Sequence, residues 1–173
     1  MKSTKTALAI TLAVVVIATL FGSHRSLNAV RKEALSVFAQ GAGGDGIGVK
    51  SDLERRADAC ANLCAVARNS GLENEASVQT LKDRVEAFRA GDTTVDLSGP
   101  AQAVMDLLDP VYLDQESRRD LSDLKATLAS ISDKIRRDPY TDLAWTFNHK
   151  TLSAFPANVL GGLTGVKPLP IYQ

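Results

Sequence analysis

Residues 121–135 read LSDLKATLASISDKI, and their apolar positions indicate the fold class of the chain. The apolar residues recur at alternating spacings of three and four, which places them on one face of an α-helix. They are Leu121, Leu124, Leu128, Ile131 and Ile135. The residues between them are Ser, Asp, Lys, Ala and Thr, which suit the solvent side of a helix. The stretch therefore predicts a long amphipathic helix, within residues 114–154, of an all-α protein.

The composition of the 173-residue chain agrees with helices and limits its partners. Aromatic residues make up only 5%, whereas β-sandwich strands favour aromatic and β-branched residues. The 20 basic and 20 acidic residues give a formal net charge of zero. The chain therefore has no overall electrostatic attraction to nucleic acid, and we expect no nucleic-acid partner.

The N-terminal residues MKSTKTALAITLAVVVIATLFGS (1–23) predict a membrane anchor. Residues 6–23 carry no charge, and a helix of this length reaches about 27 Å, close to the thickness of the hydrocarbon core of a bilayer. Lysines precede this run and Arg25 follows it, and such side chains extend into the interface. We expect residues 6–23 to contact membrane lipid and residues 24–173 to form a separate domain.

A cleaved signal peptide is the alternative interpretation, because a basic start and an apolar run fit both. Signal cleavage prefers small residues one and three positions before the cut. A cut after Gly22 would place Leu20 at the far position, and a cut after Ser23 would place Phe21 there. These large residues favour an uncleaved anchor. Basic residues are nearly balanced on both sides of the run, so the orientation of the soluble domain stays open.

Residues 51–90 carry an apolar stripe that predicts a second long helix, about 60 Å in length. The segment 25–40 reaches only about 24 Å, so a straight second helix would run into the membrane plane. Either the helix breaks near Gly71 or the anchor bends near Gly22. We expect a hinge at Gly22, because one glycine costs a helix only about 1 kcal/mol. With a short helix at 101–108, the sequence predicts two long and two short helices in an antiparallel bundle.

The C-terminal residues, RDPYTDLAWTFNHKTLSAFPANVLGGLTGVKPLPIYQ (137–173), contain an ordered series of aromatic, Asn and Pro residues. Pro139 lies inside the predicted helix, so we expect a kink there, with Asp138 as a local cap. The series, with the Tyr that ends it, comprises Tyr140, Phe147, Asn148, Phe155, Pro156, Asn158, Lys167, Pro168 and Tyr172.

This series resembles the C-terminal signature of the LemA family of bacterial membrane proteins. In that family an aromatic–Asn pair follows a Tyr by seven residues, and a Phe-Pro-x-Asn segment and a Gly-Phe-Lys-Pro-x-Pro tail come next. The family usually lacks the proline found here at position 139. A second similarity lies at residues 53–63, where the matching polar residues are Arg55, Arg56, Asp58 and Asn62.

The arginines of this second segment are interpreted first as partners of facing carboxylates, an ordinary feature of helix surfaces. Asn62 falls on the predicted buried side of its helix, where a polar group is costly unless it is paired. We expect it to pair with Asn148 across the antiparallel interface and to fix the register of the two helices.

The resemblance implies a LemA-like architecture: one N-terminal transmembrane helix, here residues 1–23, and an elongated helical bundle that includes an apolar tail, residues 155–173. It also implies a single-pass protein of the bacterial inner membrane. The family has no established molecular activity, so the resemblance names no reaction. By counting helix reversals, we expect the tail to cap the end of the bundle that is far from the membrane.

The sequence contains no motif that announces an enzyme. Cys60 and Cys64 are interpreted as small buried apolar residues, and no further Cys or His cluster would complete a zinc site. The glycine-rich stretch 41–48 lacks the Gly-Lys-Ser/Thr of a phosphate-binding loop. We therefore expect no enzyme, metal or cofactor. The function expected is that of a membrane-anchored interaction or envelope assembly factor with a protein partner. The alternatives are a soluble periplasmic or secreted bundle and, less favoured, an enzyme with an unannounced cofactor.

Overall fold

A computed structural model describes residues 2–172 of the chain, with side chains from residue 10 onward. Within these residues the chain forms α-helices and one π-helical segment and contains no β-strand, which confirms the predicted all-α class. The helices are α1 (Lys2–Gln40), α2 (Val49–Asn69), α3 (Ala76–Arg89), α4 (Ser98–Leu108), α5 (Gln115–Arg137), α6 (Pro139–Thr146) and α7 (Ala157–Thr164), and the π-helical segment is Phe147–Leu152.

Helix α1 joins the apolar N-terminal run to the bundle without interruption. It passes through Gly22 as regular helix, so the expected hinge at this residue is wrong. Its first half leaves large apolar side chains exposed, such as Ile17 (65%) and Phe21 (67%), whereas Leu27 and Ala34 in its second half are buried. Of the described helices, α1 is the one that is long and apolar enough to cross a membrane.

The helical structure is interrupted at residues 70–75, although the sequence predicted one continuous helix over residues 51–90. Gly71 adopts a φ of 75°, and the backbone N–H of Leu72 donates to the carbonyl of Ala67, which closes the end of α2. A left-handed residue of this kind terminates a helix and costs glycine little. The break lets α3 fold back and pack on α2, which resolves the length conflict that the sequence posed.

The predicted kink at Pro139 is confirmed, with Asp138 as its cap. Asp138 has an extended backbone between α5 and α6, and its carboxylate accepts a hydrogen bond of 2.8 Å from the backbone N–H of Tyr140. Proline fits the first turn of a helix because the N–H that it lacks would have no helical partner there. The chain changes partner at this point, since α5 packs on α2 whereas α6 packs on α1.

Helix α2 lies at the centre of the bundle and contacts α1, α3, α4 and α5. The predicted seam of α5 faces it, with Leu121, Leu128, Ile131 and Ile135 buried and Leu124 partly buried. Cys60 is fully buried and Cys64 half-buried, both as free thiols. Loss of hydration on burial raises the pKa of Cys60 to about 12, so this thiol stays neutral at physiological pH.

Candidate functional site

The C-terminal residues 166–172, called here the tail segment, lie against both α1 and α6. The guanidinium Nε of Arg31 on α1 donates to the backbone carbonyl of Lys167 at 3.1 Å. Val166 and Leu169, on either side of the Lys167–Pro168 pair, are buried in the core. The side chains of Lys167 and Pro168 point outward and are exposed. The tail segment is therefore fastened largely through its backbone and two apolar side chains.

Asn148 makes the most specific contact with the tail segment. Its side-chain nitrogen donates to the backbone carbonyl of Leu169 and its side-chain oxygen accepts from the backbone N–H of the same residue, both at 2.8 Å. One asparagine thus satisfies both backbone groups of a chain segment that has no secondary-structure partner, as a buried backbone requires. The expected pairing of Asn148 with Asn62 is wrong.

Asn62 is exposed, at the rim of a groove of about 350 Å³ between α2 and α5. The next residue, Leu63, faces the core instead. The buried face of α2 is the predicted apolar stripe, which includes Leu53, Cys60 and Ala67, and Asn62 lies outside it. The break at Asp138 also carries Asn148 away from α2 and toward α1.

An aromatic cluster of Phe38, Tyr140 and Tyr172 closes one end of the tail segment. The ring of Phe38 lies 5.1 Å from that of Tyr140 and 5.4 Å from that of Tyr172, between centroids. The hydroxyl of Tyr140 donates to the carbonyl of Pro170 at 2.8 Å, and the hydroxyl of Tyr172 lies 3.3 Å from that of Thr93. Burial raises the pKa of both tyrosines. Sequence reasoning did not assign Phe38 to this site, although its aromatic character on α1 was visible.

The contacts along α1 define the direction of the C-terminal region. The C-terminal region starts with Tyr140, which lies beside Phe38. Further along the chain, Leu152 and Gly161 lie beside Leu27, which precedes Phe38 by eleven residues in α1. At 1.5 Å per residue these levels are about 16 Å apart. Helix α7 therefore packs next to the apolar N-terminal run, so the expectation that the tail, residues 155–173, caps the end of the bundle far from the membrane is wrong for α7. Counting helix reversals missed that α5 and α6, although consecutive, pack on different helices, α5 on α2 and α6 on α1.

Helix α7 and the residue pair before it keep an apolar surface in solvent. Phe155 is 84% exposed, Val159 52% and Leu163 71%. Val159 and Leu163 lie four positions apart on one face of α7, and Phe155 lies in the turn that precedes the helix. Pro156 and Asn158 are exposed as well. No charged residue occurs between Lys150 and Lys167. We call Phe155, Val159 and Leu163 the α7 apolar face.

Arg56 occupies the junction of three helices. Its side chain is only 4% exposed and donates to the hydroxyl of Ser98 at the start of α4 at 3.0 Å and to that of Ser132 on α5 at 3.1 Å. Loss of hydration lowers the pKa of Arg56, and the nearby carboxylates of Asp52 and Asp96 oppose that shift. The role of Arg56 is therefore structural, because its hydrogen bonds to the two hydroxyls link helices α2, α4 and α5.

The two neighbouring charges of the same segment lie at the surface. Arg55 pairs with Asp52 of its own helix at 3.5 Å, and Asp58 pairs with Arg89 of α3 at 3.0 Å. Arg55, Asp58 and Arg89 are each more than half exposed, whereas Asp52 is buried, so the Asp58–Arg89 pair contributes less than about 1 kcal/mol. The predicted polar set at residues 55–62 therefore separates into one buried residue and three exposed ones.

The described residues hold cavities without a recognisable catalytic arrangement. A cavity of about 450 Å³ between α2 and α3 is lined by apolar residues and by Cys64, Lys82 and charges of both signs. A second, of about 300 Å³, lies beside Arg56 between α4 and α5. In the part of the chain covered by the structure, no three His, Cys, Asp or Glu side chains are grouped to hold a metal ion. Phe147, also in the predicted series, is buried and supports the core.

No family model, no curated protein and no solved structure matches the chain.

Replacing Asn148 with Ala is expected to release the tail segment. The change removes two hydrogen bonds and leaves the backbone groups of Leu169 without these partners, which we expect to lower the free energy of unfolding by about 1–3 kcal/mol. Limited proteolysis should then cut within residues 165–172 at least about fivefold faster, because local opening of the segment follows its stability.

Asn158→Ala is the matched control for this change. Asn158 is exposed, and its side chain accepts only from the backbone N–H of the adjacent Val159 among the contacts described. We expect proteolysis of this variant at the wild-type rate. Equal cleavage of the two variants would contradict the assignment of Asn148 as the residue that fastens the tail.

Proposed function

We propose that this chain is a single-pass membrane protein of the LemA type that holds a helical bundle at the bacterial inner membrane, where the bundle binds another protein in an interaction or envelope assembly role. Residues 6–23 contact lipid in this proposal. The bundle acts by presenting a surface and carries out no chemical reaction of its own.

One observation carries the anchor: α1 leaves its apolar half almost wholly outside the bundle. A core helix of comparable length would bury such residues, yet Ile10, Leu12, Ile17 and Phe21 are each at least 60% exposed. An exposed apolar helix of this size is unfavourable in water and favourable in a bilayer.

The fastened tail segment supports the LemA resemblance. Tyr140, Asn148 and the residues around Lys167 are separated in sequence by up to 27 positions, and they meet through the hydrogen bonds to Lys167, Leu169 and Pro170. Tyr140, Asn148 and Lys167, three of the positions that carry the resemblance, thus take part in holding the tail segment.

The protein partner is supported by large side chains that the bundle leaves exposed away from the anchor. Tyr112, in the connection between α4 and α5, is 91% exposed, and Ile47, in the connection between α1 and α2, is 64% exposed. Exposed aromatic residues are frequent anchors of protein interfaces. Photo-crosslinking from position 112 in native membranes should give a discrete adduct with another protein, and the absence of any adduct would contradict this assignment.

Membrane fractionation with N-terminal sequencing tests the anchor. We expect the native protein to remain in the membrane after a carbonate wash and its N-terminal sequence to show that residues 6–23 are retained. Ile17→Lys should shift the protein toward the soluble fraction, because a lysine at the centre of a span costs about 3 kcal/mol of insertion free energy.

Val30→Lys is the matched control, since Val30 is an exposed apolar residue of the same helix within the bundle. We expect this variant to fractionate as wild type. A soluble protein that begins near Ser23 would overturn the anchor in favour of a cleaved signal peptide and a soluble periplasmic or secreted bundle.

A further inference from the structure

The α7 apolar face is an exposed apolar surface that the proposed function leaves unexplained. Helix α7 is held to the bundle by its other side, where Gly161 is buried against α1 and the π-helical segment. A side chain at this position would come within 2.7 Å of Leu152, so glycine permits the close approach of the helix. The fold therefore fixes α7 in place while keeping Phe155, Val159 and Leu163 in contact with solvent.

The position of α7 along α1 supplies the argument for its partner. The side chain of Leu27 lies 3.9 Å from the position that a Cβ on Gly161 would take. Leu27 follows Ser23, the last residue of the uncharged run, by four residues, or about 6 Å of helix. The polar layer of a bilayer is about 5–8 Å thick on each side of the hydrocarbon core. A span that ends near Ser23 thus places α7 at the level of the lipid headgroups.

The chemistry of the segment also suits this level. The apolar residues lie in a stretch without charge, and basic residues flank it at Lys150 and Lys167. Exposed Arg25 on α1 is close to the same level. Apolar side chains that enter the interface beside lysines and arginines are the pattern of helices that lie on a membrane containing anionic lipid.

We propose that α7 lies in the lipid–water interface, with Phe155, Val159 and Leu163 inserted among the lipids next to the anchor. This inference rests on the proposed membrane anchor. It gives the bundle a second point of attachment to the bilayer, which would fix the tilt of the bundle relative to the membrane surface. The tail segment then links this attachment to the aromatic cluster around Tyr140.

Depth-dependent fluorescence quenching tests this arrangement in the full chain, reconstituted into vesicles of zwitterionic and anionic lipid. Trp145 is the single tryptophan, so Trp145→Phe provides a silent background. Leu163→Trp then reports on the α7 apolar face. Its emission should shift to shorter wavelength and fall about twofold or more when the lipids are brominated near the headgroup end of the acyl chain.

Ile171→Trp in the same background is the matched control. Ile171 is an exposed apolar residue of the tail, next to Tyr172 and therefore near the level of Phe38, about 22 Å beyond Ser23. We expect its emission to change little with brominated lipid. Ile17→Trp reports on the anchor independently, and we expect strong quenching there by lipids brominated deeper in the chain.

The combination of variants separates the possible failures. Quenching in the Ile17→Trp variant without quenching in the Leu163→Trp variant would overturn the interfacial position of α7 and leave the anchor intact. A blue-shifted emission from Leu163→Trp that brominated lipid does not quench would likewise overturn it, and would indicate that protein covers this face. Unquenched emission from Ile17→Trp would overturn both the anchor and the inference that rests on it.

Discussion

Replacing Tyr140 with Ala is expected to lower the free energy of unfolding by about 3–5 kcal/mol, the range for removal of a buried aromatic side chain. Tyr140 is fully buried and contacts Phe38 of α1 and Tyr172 of the tail segment. Its hydroxyl also donates to Pro170. The change therefore opens a cavity at the point where α1, α6 and the tail meet. Urea unfolding of the full chain in mild detergent, followed by circular dichroism, measures the effect.

Two further variants interpret the Tyr140 result. Tyr140→Phe keeps the ring and removes the hydroxyl, so we expect a loss of about 1–2 kcal/mol from the unmade hydrogen bond. Tyr112→Ala removes the same side chain from a site that is 91% exposed, and we expect a change within about 0.5 kcal/mol. If Tyr140→Ala were no more destabilising than Tyr112→Ala, the aromatic cluster would not hold the tail to the bundle.

Replacing Arg56 with Ala should destabilise the chain by a similar amount, about 3–5 kcal/mol. The change removes two hydrogen bonds from a charged donor and leaves a void among three helices. Because Arg56 connects α2 with α4 and α5, its loss should also loosen α4, which packs on α2 and α3. Hydrogen exchange of amides in α4 should therefore become faster than that of amides in α6.

The adjacent Arg55 supplies the control for Arg56. Its side chain is 55% exposed and pairs only with Asp52 among the contacts described, so Arg55→Ala should cost less than about 1 kcal/mol. Arg56→Met fills the same space without charge, and we expect it to lose less than about 2 kcal/mol, since well-packed apolar residues replace buried charges at little cost. Equal effects of Arg55→Ala and Arg56→Ala would contradict the role of Arg56 as a cross-link.

The sequence identified many of the residues of the candidate site but few of the contacts that they make. Tyr140, Phe147 and Asn148 were singled out by their order, and two of them contact the tail segment. The partner of Asn148 was predicted as Asn62 and is Leu169. A side chain that hydrogen-bonds to backbone groups does not require a particular residue type at the position it binds. The contact between Asn148 and Leu169 therefore could not be predicted from the sequence.

The break at residues 70–75 shows a second limit of sequence reasoning. A glycine costs a helix only about 1 kcal/mol, and on that ground Gly71 was compatible with a continuous helix. The packing of α3 on α2 offers more than that cost through buried residues such as Val78, Leu81 and Val85. Tertiary burial decided the break, and local propensity only permitted it.

The sequence by itself determined the helical class, the apolar face of α5, the cap at Asp138 and a helix at the N-terminus that can cross a membrane. These features follow from spacing, from local hydrogen bonding and from the length of an uncharged run, all of which act within a few turns of chain. Only the tertiary structure decided that α6 returns along α1, that Arg56 joins three helices and that α7 lies beside Leu27. Each of these depends on contacts between residues far apart in sequence, whose choice rests on the burial gained by the whole chain.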